Sequence, residues 1–336
     1  MAVKGAYSLS ICIPSYNREK FLPDLLASIV KQYDERVEIV ICDNGSTDGT
    51  QLLVQKWQEC YPRIIYERFP RNIGPDRCFL RSVELASSPF CWLMGDDDII
   101  EEGGLLTVLR ALEDTLTGIS VNRIAYDYTL QQRWQEPSKK LRQDYLFTKA
   151  STCFLSLFTL FGFLSGQVIQ RKKWLAVVAE EDVSLYYNAY VLVYIIGRMI
   201  QKDPCWLYLH TPCVGWRSGN DSFAQELGRY KRFTLDVIGY DSIVRALFKA
   251  QPDLCRQVMQ QVCAIHFLGH VRDLKFHPGG KNHIFQGITL CFPRLYCYPI
   301  FWSQLLPVLL FPRWAAKMLR FFLRMFRSPF LFVKKE

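Results

Sequence analysis

The chain has 336 residues, half of them hydrophobic, and a formal net charge of +9. This length accommodates one large domain or two modest ones, and this composition excludes a low-complexity disordered protein. Residues 313–336 contain seven Lys or Arg and one acid, a net +6, so the rest of the chain carries only +3. A protein whose whole surface binds nucleic acid is therefore excluded.

The first half of the chain alternates strand-like and helix-like segments. Short continuous apolar runs predict buried strands, and apolar residues at helical spacing predict the helices between them. Strands and helices are predicted, in alternating order, at Leu9–Pro14, Phe21–Gln32, Val37–Cys42, Thr50–Cys60, Ile64–Phe69, Pro75–Ser87, Phe90–Met94 and Gly104–Leu116. This βαβαβαβα alternation predicts an α/β domain with a mostly parallel sheet covered by helices.

The second half departs from this alternation after Gly118. Strands are predicted for three segments and an aromatic-rich helix for a fourth: Val121–Leu130, Phe163–Gln170, Trp206–Trp216 and Tyr187–Ile200. The polar residues 131–144 and 217–222 predict surface loops. Residues 223–290 are predicted to be mostly helical.

The uncharged run Ala150–Gln170 has the length of a membrane span, but Gly162 and Gly166 interrupt it. We predict a buried helix followed by a buried strand instead. Residues 1–10 contain no long apolar segment, so no signal peptide is predicted. Twelve cysteines without a C-x-x-C pair argue against a zinc site and fit a reduced, cytoplasmic compartment.

A glycine and three carboxylates, Gly95–Asp98, follow the fourth predicted strand. Adjacent like charges repel one another, and a divalent cation removes that repulsion. Oxygen ligands suit Mg²⁺ or Mn²⁺, which commonly lie between protein carboxylates and substrate phosphates. Ligands of open α/β sheets bind beyond the carboxyl ends of the strands, where Ser15–Arg18 and Asp43–Asp48 also fall. We predict a metal–diphosphate site at this edge; a solvated loop beside capped turns is the alternative.

Four motifs in this order resemble those of the family 2 glycosyltransferases of the GT-A fold. They are Ser10–Arg18, Val40–Gly49, Arg71–Gly74 and Gly95–Asp98. Each motif is short, but together they cover about residues 8–105. Trp92–Met94 before the carboxylates and Arg217–Phe223 far beyond them resemble, more narrowly, the abequosyltransferase-like branch, which builds bacterial O-antigen and other surface polysaccharides.

The resemblance implies a domain organisation. A GT-A glycosyltransferase domain would occupy residues 1–222, with a Rossmann-like nucleotide-binding half at about 1–118 and an acceptor half at about 119–222. A helical region would follow at 223–298, and a basic amphipathic tail at 299–336.

The activity that the resemblance implies is an inverting, metal-dependent sugar transfer. The donor would be a nucleotide-sugar, the acceptor a lipid-linked saccharide, and the cofactor Mn²⁺ or Mg²⁺. A bound cation would stabilise the diphosphate leaving group as a Lewis acid, while the transferred sugar becomes oxocarbenium-like, so that the placement of charge governs the rate.

For the nucleoside end of the donor, the resemblance implies five residues. Pro14, Tyr16 and Asn17 would line the nucleoside pocket, and Asp43 would accept a hydrogen bond from the edge of the base. Arg77, on the helix after the third motif, would lie near the nucleotide. An ordinary surface arginine is the alternative for Arg77, and a capped strand–helix turn is the alternative for the Asp43 motif.

For the diphosphate end, the resemblance assigns the two acids of an Asp-x-Asp motif to Asp96 and Asp98. Asp96 would face the ribose or the sugar and share the metal with Asp98, while Asp97 would complete the turn. Arg217 would clamp the diphosphate from a mobile loop; an exposed loop arginine is the alternative.

An inverting displacement needs a carboxylate that removes the proton of the acceptor hydroxyl. In the family this base commonly belongs to a Glu-Asp pair, and Glu181-Asp182 matches that pair in part, because Tyr186–Asn188 replaces the usual continuation with an Arg and a Gly. Asp182 is the first candidate base and Asp221 the second. A solvated acidic turn is the alternative for Asp182.

The basic residues near the end of the chain follow at steps of three and four on one helical face: Lys317, Arg320, Arg324 and Arg327. Such a basic amphipathic pattern is typical of a segment that binds an anionic bilayer. We expect residues 313–336 to hold the protein peripherally on the cytoplasmic face of the membrane, near a lipid-linked acceptor. A terminal helix packed on the domain is the alternative.

Two further functions stay open at this point. A nucleotide-sugar-binding protein without transfer activity is compatible with the incomplete base motif. A sugar-1-phosphate nucleotidyltransferase shares the α/β outline, but it needs a Gly-rich loop with Arg or Lys after the first strand, and Ser15–Arg18 lacks one.

Overall fold

A computed structural model describes residues 8–135, 141–276 and 284–310, and the structural statements below concern these residues. The chain forms two compact units. The first comprises Met1–Asp221 with Arg245–Ala250, and the second comprises Ser222–Val244 with Gln251–Glu336. The predicted basic tail 313–336 lies outside the described residues.

The first unit is built on a ten-stranded sheet. Its strands are β1 (Leu9–Ser15), β2 (Val37–Asp43), β3 (Ile64–Arg68), β4 (Phe90–Leu93), β5 (Ile99–Ile100), β6 (Gly118–Tyr126), β7 (Arg133–Gln135), β8 (Tyr145–Phe147), β9 (Gln167–Gln170) and β10 (Trp206–Arg217). They lie in the order β3-β2-β1-β4-β9-β6-β10-β5, with β7 paired to β6 and β8 to β10.

The part of the sheet formed by β3-β2-β1-β4 is parallel throughout. All residues of β1 and β2 are buried, as expected for strands covered on both faces. Their predicted ends are confirmed to within one residue, and the same holds for β3 and β4. Since the strands are parallel, the loops that follow β1, β2 and β4 meet at one edge.

Seven α-helices belong to the described part of the first unit up to Asp221. They are α1 (Leu22–Val30), α2 (Thr50–Cys60), α3 (Pro75–Leu85), α4 (Gly104–Ala111), α5 (Ala150–Leu157), α6 (Arg171–Glu180) and α7 (Val191–Lys202). The last begins four residues later than predicted. Ala189 has a φ of 67°, and buried Asp76 accepts hydrogen bonds from the N–H groups of Ala189 (2.8 Å) and Val191 (3.2 Å). These contacts fix the start of α7.

The uncharged segment Ala150–Gln170 folds as a helix, two 3₁₀ turns and a strand, as predicted in outline. The strand begins at Gln167 rather than Phe163, because residues 164–166 form a 3₁₀ turn. β9 runs antiparallel to both neighbours, β4 and β6. No helix among the described residues is long and apolar enough to cross a membrane.

The second unit is helical. Its helices are α8 (Ser222–Leu227), α9 (Arg229–Leu247), whose end is counted with the first unit, α10 (Pro252–Val262), α11 (Leu268–Phe276), α12 (Ile284–Leu295) and α13 (Leu306–Leu310). One π-helical turn, Cys263–Phe267, precedes α11 and another, Phe301–Leu305, precedes α13. Phe233, Val258 and Phe267 are fully buried in this unit.

Candidate active site

The turn after β4 contains the three carboxylates, Asp96, Asp97 and Asp98, which we call the acid cluster. Asp98 is 3% exposed and both of its oxygens are engaged. Ser165 Oγ donates to Asp98 Oδ2 (2.5 Å), and the backbone N–H of Arg217 donates to Asp98 Oδ1 (3.0 Å). Burial, together with the charge of Asp97, raises the pKa of Asp98 to about 8. Asp98 therefore joins three segments that are distant in sequence.

Asp96 connects the acid cluster to the loop after β1. The guanidinium of Arg18 donates from Nε to Asp96 Oδ1 at 3.0 Å, and both side chains are mostly buried. Burial raises the pKa of Asp96 to about 6, against the opposing effect of the Arg18 charge. The sequence interpretation placed Asp96 here but did not identify its arginine partner.

Asp97 is the least enclosed residue of the acid cluster, since Asp96 and Asp98 are buried and Asp97 is only partly so. Its Oδ2 accepts a hydrogen bond from Asn220 Nδ2 (2.6 Å), in the loop that follows β10. Burial raises the pKa of Asp97 as well. A partly accessible carboxylate beside two enclosed ones is the member of the cluster best placed to meet a ligand.

The sequence predicts Arg217 in a loop, but Arg217 is the last residue of β10 and is 5% exposed. Its guanidinium donates to the carbonyl oxygens of Asp97 (Nε, 2.8 Å) and Tyr128 (Nη1, 2.7 Å) and to Asp24 Oδ2 (Nη2, 2.7 Å). These contacts engage all three of its nitrogens in holding the turn. They favour a framework role over a clamp on the diphosphate.

The loops after β1 and β2 are fastened to each other. Asn17 has a φ of 55°, and its Oδ1 accepts from the N–H of Thr47 (2.7 Å). In return, the N–H of Asn17 donates to Ser46 Oγ (2.8 Å). Pro14 is buried within β1, and Tyr16 is half-buried where the strand ends. Asn17 is thus a structural residue of the edge at which Tyr16 lies.

Asp43 is fully buried at the end of β2. Its Oδ1 accepts from the N–H of Ser46 (2.7 Å), and its Oδ2 accepts from the hydroxyl of Tyr66 (2.6 Å). Arg68 Nε lies 3.8 Å from the same Oδ2. The predicted contact of Asp43 with the edge of a base stays a prediction, and these bonds favour a role in shaping the loop.

The third motif packs against the second. Asn44 Oδ1 accepts from the N–H of Ile73 (2.9 Å), and Asn44 Nδ2 donates to Asn72 Oδ1 (3.0 Å). Gly45 has a φ of +78°, and a Cβ there would lie 2.5 Å from the backbone of Arg71, so no other residue fits. These contacts hold the third motif in place against the second.

The segment that contains Asp182 lies beside the start of α3. Arg77 is exposed, and its guanidinium lies 5.9 Å from the ring centroid of Tyr187. Asp182 is exposed and caps its own 3₁₀ turn, Val183–Tyr186, accepting from the Ser184 N–H (3.2 Å) and Oγ (2.5 Å). The structure therefore brings Arg77 and the Asp182 segment together beside the start of α3.

The other acids near these positions have different surroundings. Glu181 Oε1 accepts from Arg198 Nε (2.9 Å), and Glu181 Oε2 accepts from the Tyr194 hydroxyl (2.7 Å). Although partial burial opposes it, these two bonds hold the pKa of Glu181 below its usual range. Asp221 is exposed and follows Asn220, the residue bonded to Asp97.

Sequence reasoning missed two residues beside Asp98. Ser165 also accepts from the Gly95 N–H (2.9 Å), which fixes the beginning of the acidic turn. Arg123 lies with its guanidinium 4.2 Å from the ring centroid of Phe163 and 4.9 Å from that of Trp216. Both residues occur in apolar strand-like runs whose local pattern carries no sign of a site; only the pairing of β4, β6, β9 and β10 brings them together.

A cation of the Mg²⁺ type fits the donor set of this cluster. Among the residues that the structure describes, no group of three or more His, Cys, Asp or Glu could hold a metal by itself. Mg²⁺ commonly takes one or two protein carboxylates and draws its remaining ligands from water and substrate phosphates. One partly accessible carboxylate beside buried ones matches that mode of binding.

The parallel strands β3-β2-β1-β4, the antiparallel β9 beside β4 and the acidic turn after β4 agree with the predicted GT-A fold. Residues 10–168 match the family model described as Glycosyl transferase family 2. The chain is also 32% identical over 262 residues to the Abequosyltransferase RfbV of Salmonella typhimurium, covering 74% of this chain and 78% of that protein. The chain belongs to glycosyltransferase family 2, in its abequosyltransferase-like branch.

A second similar protein is also named a glycosyltransferase. The GalNAc(5)-diNAcBac-PP-undecaprenol beta-1,3-glucosyltransferase of Campylobacter jejuni is 25% identical over 191 residues, which cover 54% of this chain and 59% of that protein. The family assignment confirms the predicted enzyme class and leaves the nucleotidyltransferase alternative without support.

Two solved structures confirm the predicted fold class. TarS 1-349 of S. aureus in complex with UDP has a TM-score of 0.60 at 14% identity, covering 86% of this chain and 81% of that one. The mannosyltransferase PcManGT of Pyrobaculum calidifontis, in complex with GDP-Man and Mn²⁺, has a TM-score of 0.53 at 13% identity, covering 91% of this chain and 85% of that one.

The replacement Arg217→Ala tests the framework role of this arginine. It leaves the carbonyl oxygens of Asp97 and Tyr128 without their donor, so the free energy of unfolding should fall by about 2–4 kcal/mol. Urea unfolding followed by circular dichroism measures this, with Arg110→Ala on α4 as an exposed control. If Arg217→Ala kept wild-type stability but lost nucleotide binding, the diphosphate clamp would be the correct role.

Proposed function

We propose that this glycosyltransferase moves a sugar from a nucleotide-sugar donor to a lipid-linked saccharide acceptor in bacterial surface polysaccharide synthesis, with inversion at the anomeric carbon. The observation that carries the proposal is the acid cluster, held by buried hydrogen bonds at the edge where the loops after β1, β2 and β4 meet. The name of the Campylobacter relative specifies an undecaprenol-diphosphate-linked saccharide, which supports this class of acceptor.

For the donor, we propose a nucleoside pocket bounded by Tyr16 and the loops that Asn17 and Asp43 hold. Asn17 and Asp43 act through Ser46 and Thr47, whose backbone N–H groups they fix, rather than through free side-chain atoms. Arg77 is exposed at the start of α3 and has a guanidinium available to the nucleotide side of the edge. The solved structures of similar fold contain UDP or GDP-Man, which supports a nucleoside diphosphate at this edge.

We propose Asp97 as the principal ligand of a divalent cation, with Asp96 facing the ribose or the sugar. This division differs from the one implied by the motif alone, which gave the metal to Asp98 and Asp96. It is supported by the enclosure of Asp98, whose oxygens already accept from Ser165 and Arg217. When bound, a cation of this kind supplies charge stabilisation for the departing diphosphate.

The reaction then needs one proton transfer. The acceptor hydroxyl attacks the anomeric carbon opposite the diphosphate, a carboxylate takes the hydroxyl proton, and the nucleoside diphosphate leaves with the electrons of the broken bond. Asp182 is the first candidate for this carboxylate, since it is exposed beside Tyr187 and Arg77 on the nucleotide-binding half. Asp221 is the second, because it adjoins the Asn220 that contacts Asp97.

Two asparagine variants separate the roles within the acid cluster. Asp97→Asn should abolish the metal-dependent part of nucleotide binding and change the free energy of unfolding by less than about 0.5 kcal/mol, because the side chain is partly accessible. Asp98→Asn should lower the free energy of unfolding by about 1–3 kcal/mol, because one buried hydrogen bond is lost. Isothermal titration of nucleotide with and without Mn²⁺, and urea unfolding, measure the two effects.

If metal-dependent nucleotide binding survives in Asp97→Asn and disappears in a stably folded Asp98→Asn, Asp98 is the metal ligand instead. Glu59→Gln, exposed on α2, is the matched control and should leave both quantities unchanged.

Asparagine variants also distinguish the two candidate bases. A general base contributes about 10²–10⁴-fold to the rate, so Asp182→Asn should lower kcat by that factor while donor binding stays at the wild-type level. Asp221→Asn should have a small effect on kcat. Transfer to a lipid-linked acceptor, measured from purified enzyme, gives both values, and Glu180→Gln is the matched control. A large loss of kcat in Asp221→Asn, with none in Asp182→Asn, would identify Asp221 as the general base.

A further inference from the structure

The segment 284–310 of the second unit is poor in charge. Between residues 284 and 310 the sequence contains a single charged side chain, Arg294. The inner side of α12 is buried at Gly287, Cys291 and Leu295. A surface helix normally carries polar and charged residues on the side opposite its core, but the exposed residues of α12 include Phe285 and Phe292 beside the uncharged Gln286 and Thr289. The exposed side of this segment therefore resembles a second apolar face.

We call this surface the outer aromatic face and define it by five exposed side chains. Their exposed fractions are large for such residues: Phe285 (79%), Phe292 (46%), Tyr296 (55%), Trp302 (51%) and Leu310 (61%). Large exposed apolar side chains that occur singly need no explanation, whereas a group of them marks a binding surface.

Three of the four rings of this face, those of Phe292, Tyr296 and Trp302, are packed together. The ring centroids of Phe292 and Tyr296 lie 5.9 Å apart, and those of Phe292 and Trp302 lie 6.1 Å apart. Trp302 Nε1 donates to the carbonyl oxygen of Tyr296 at 2.7 Å. These contacts hold the three side chains in position, so they do not have to become ordered when a partner binds.

The charges around this face indicate which partner it fits. Arg294 Nη1 donates to the carbonyl oxygen of Leu290 (3.0 Å), and Arg294 Nε lies 3.8 Å from Asp241 Oδ2, so this cation is already engaged within the unit. The sequence that follows the face, residues 313–336, carries a net +6. Aromatic residues next to a strongly basic segment complement the interface of an anionic bilayer, where Trp and Tyr rings lie at the level of the headgroups.

The same segment is too short to cross a bilayer. A spanning helix needs about 20 apolar residues, whereas α12 ends at Leu295 and contains Pro293. No helix of the described ranges is long and apolar enough to span a membrane. A surface with these properties lies in the plane of the interface, with its apolar side turned to the acyl chains.

We propose that the outer aromatic face binds the surface of an anionic lipid bilayer and inserts its rings among the headgroups. The proposal rests on the proposed function in one respect, since a lipid-linked acceptor would require the enzyme to work at a bilayer. In this proposal the aromatic side chains of the second unit supply the apolar part of the affinity for the bilayer, and residues 313–336 can add an electrostatic part.

Vesicle co-sedimentation of the full chain tests this proposal. We expect binding to phosphatidylglycerol vesicles and weaker binding to phosphatidylcholine vesicles. The double variant Phe285→Ser/Tyr296→Ser should lose about tenfold or more in affinity for phosphatidylglycerol vesicles, because two inserted rings are removed. Leu52→Ser/Leu106→Ser removes two exposed apolar side chains from the first unit and is the matched control; its affinity should equal that of the wild type.

Three outcomes would overturn the proposal. The first is equal vesicle binding by the face variant and the wild type. The second is a wild-type dimer, by light scattering, that the face variant converts to a monomer, since the face would then bind a second copy. The third is tight vesicle binding only after residues 313–336 are deleted, since that segment would then cover the face.

Measuring nucleotide-sugar binding by the wild type and the face variant distinguishes failure of the membrane proposal from failure of the proposed function. The face variant should bind the nucleotide-sugar with wild-type affinity, because its substitutions lie outside the acid cluster and its loops. If the wild type binds vesicles through this face but binds no nucleotide-sugar, the proposed function is contradicted and the membrane-binding proposal still holds.

Discussion

The buried carboxylate of Asp98 is the constraint on which the site depends. It accepts from Ser165 before β9 and from the backbone of Arg217 at the end of β10, while belonging itself to the turn after β4. An enclosed carboxylate left without these donors would be costly. The three segments are therefore held in one position, and the more accessible Asp97 is presented by a rigid support. Arg217 reinforces it through the carbonyl oxygen of Asp97.

A rigid edge of this kind suits a reaction whose barrier is lowered chiefly by fixed charges. The leaving diphosphate gains negative charge as the glycosidic bond breaks, and charges already in position stabilise it without reorganisation. Asn17 and Asp43 add to this rigidity at the loop after β2, because their hydrogen bonds fix the backbone of Ser46 and Thr47. Family membership and the contacts of the edge thus support the same account of the chemistry.

Much of the parallel part of the sheet could be predicted from the sequence. The strands β1 to β4 are continuous apolar runs with turn residues after them, so local pattern alone locates them. The surroundings of the three acids could not be predicted, because they depend on partners far along the chain: Ser165 and Arg217 enclose Asp98, and Asn220 contacts Asp97. The outer aromatic face was hidden for a similar reason, since apolar residues on both sides of α12 do not reveal which side is covered.

The most direct test of the central claim is titration of UDP-, GDP-, CDP- and dTDP-sugars into the protein, by thermal shift, with and without Mn²⁺. A ligand that binds only the folded state raises its apparent stability. We expect one nucleotide class to raise the melting temperature, with a larger rise when Mn²⁺ is present. An equal rise with and without Mn²⁺, or no rise with any of the four classes, would contradict a metal-assisted diphosphate site at the acid cluster.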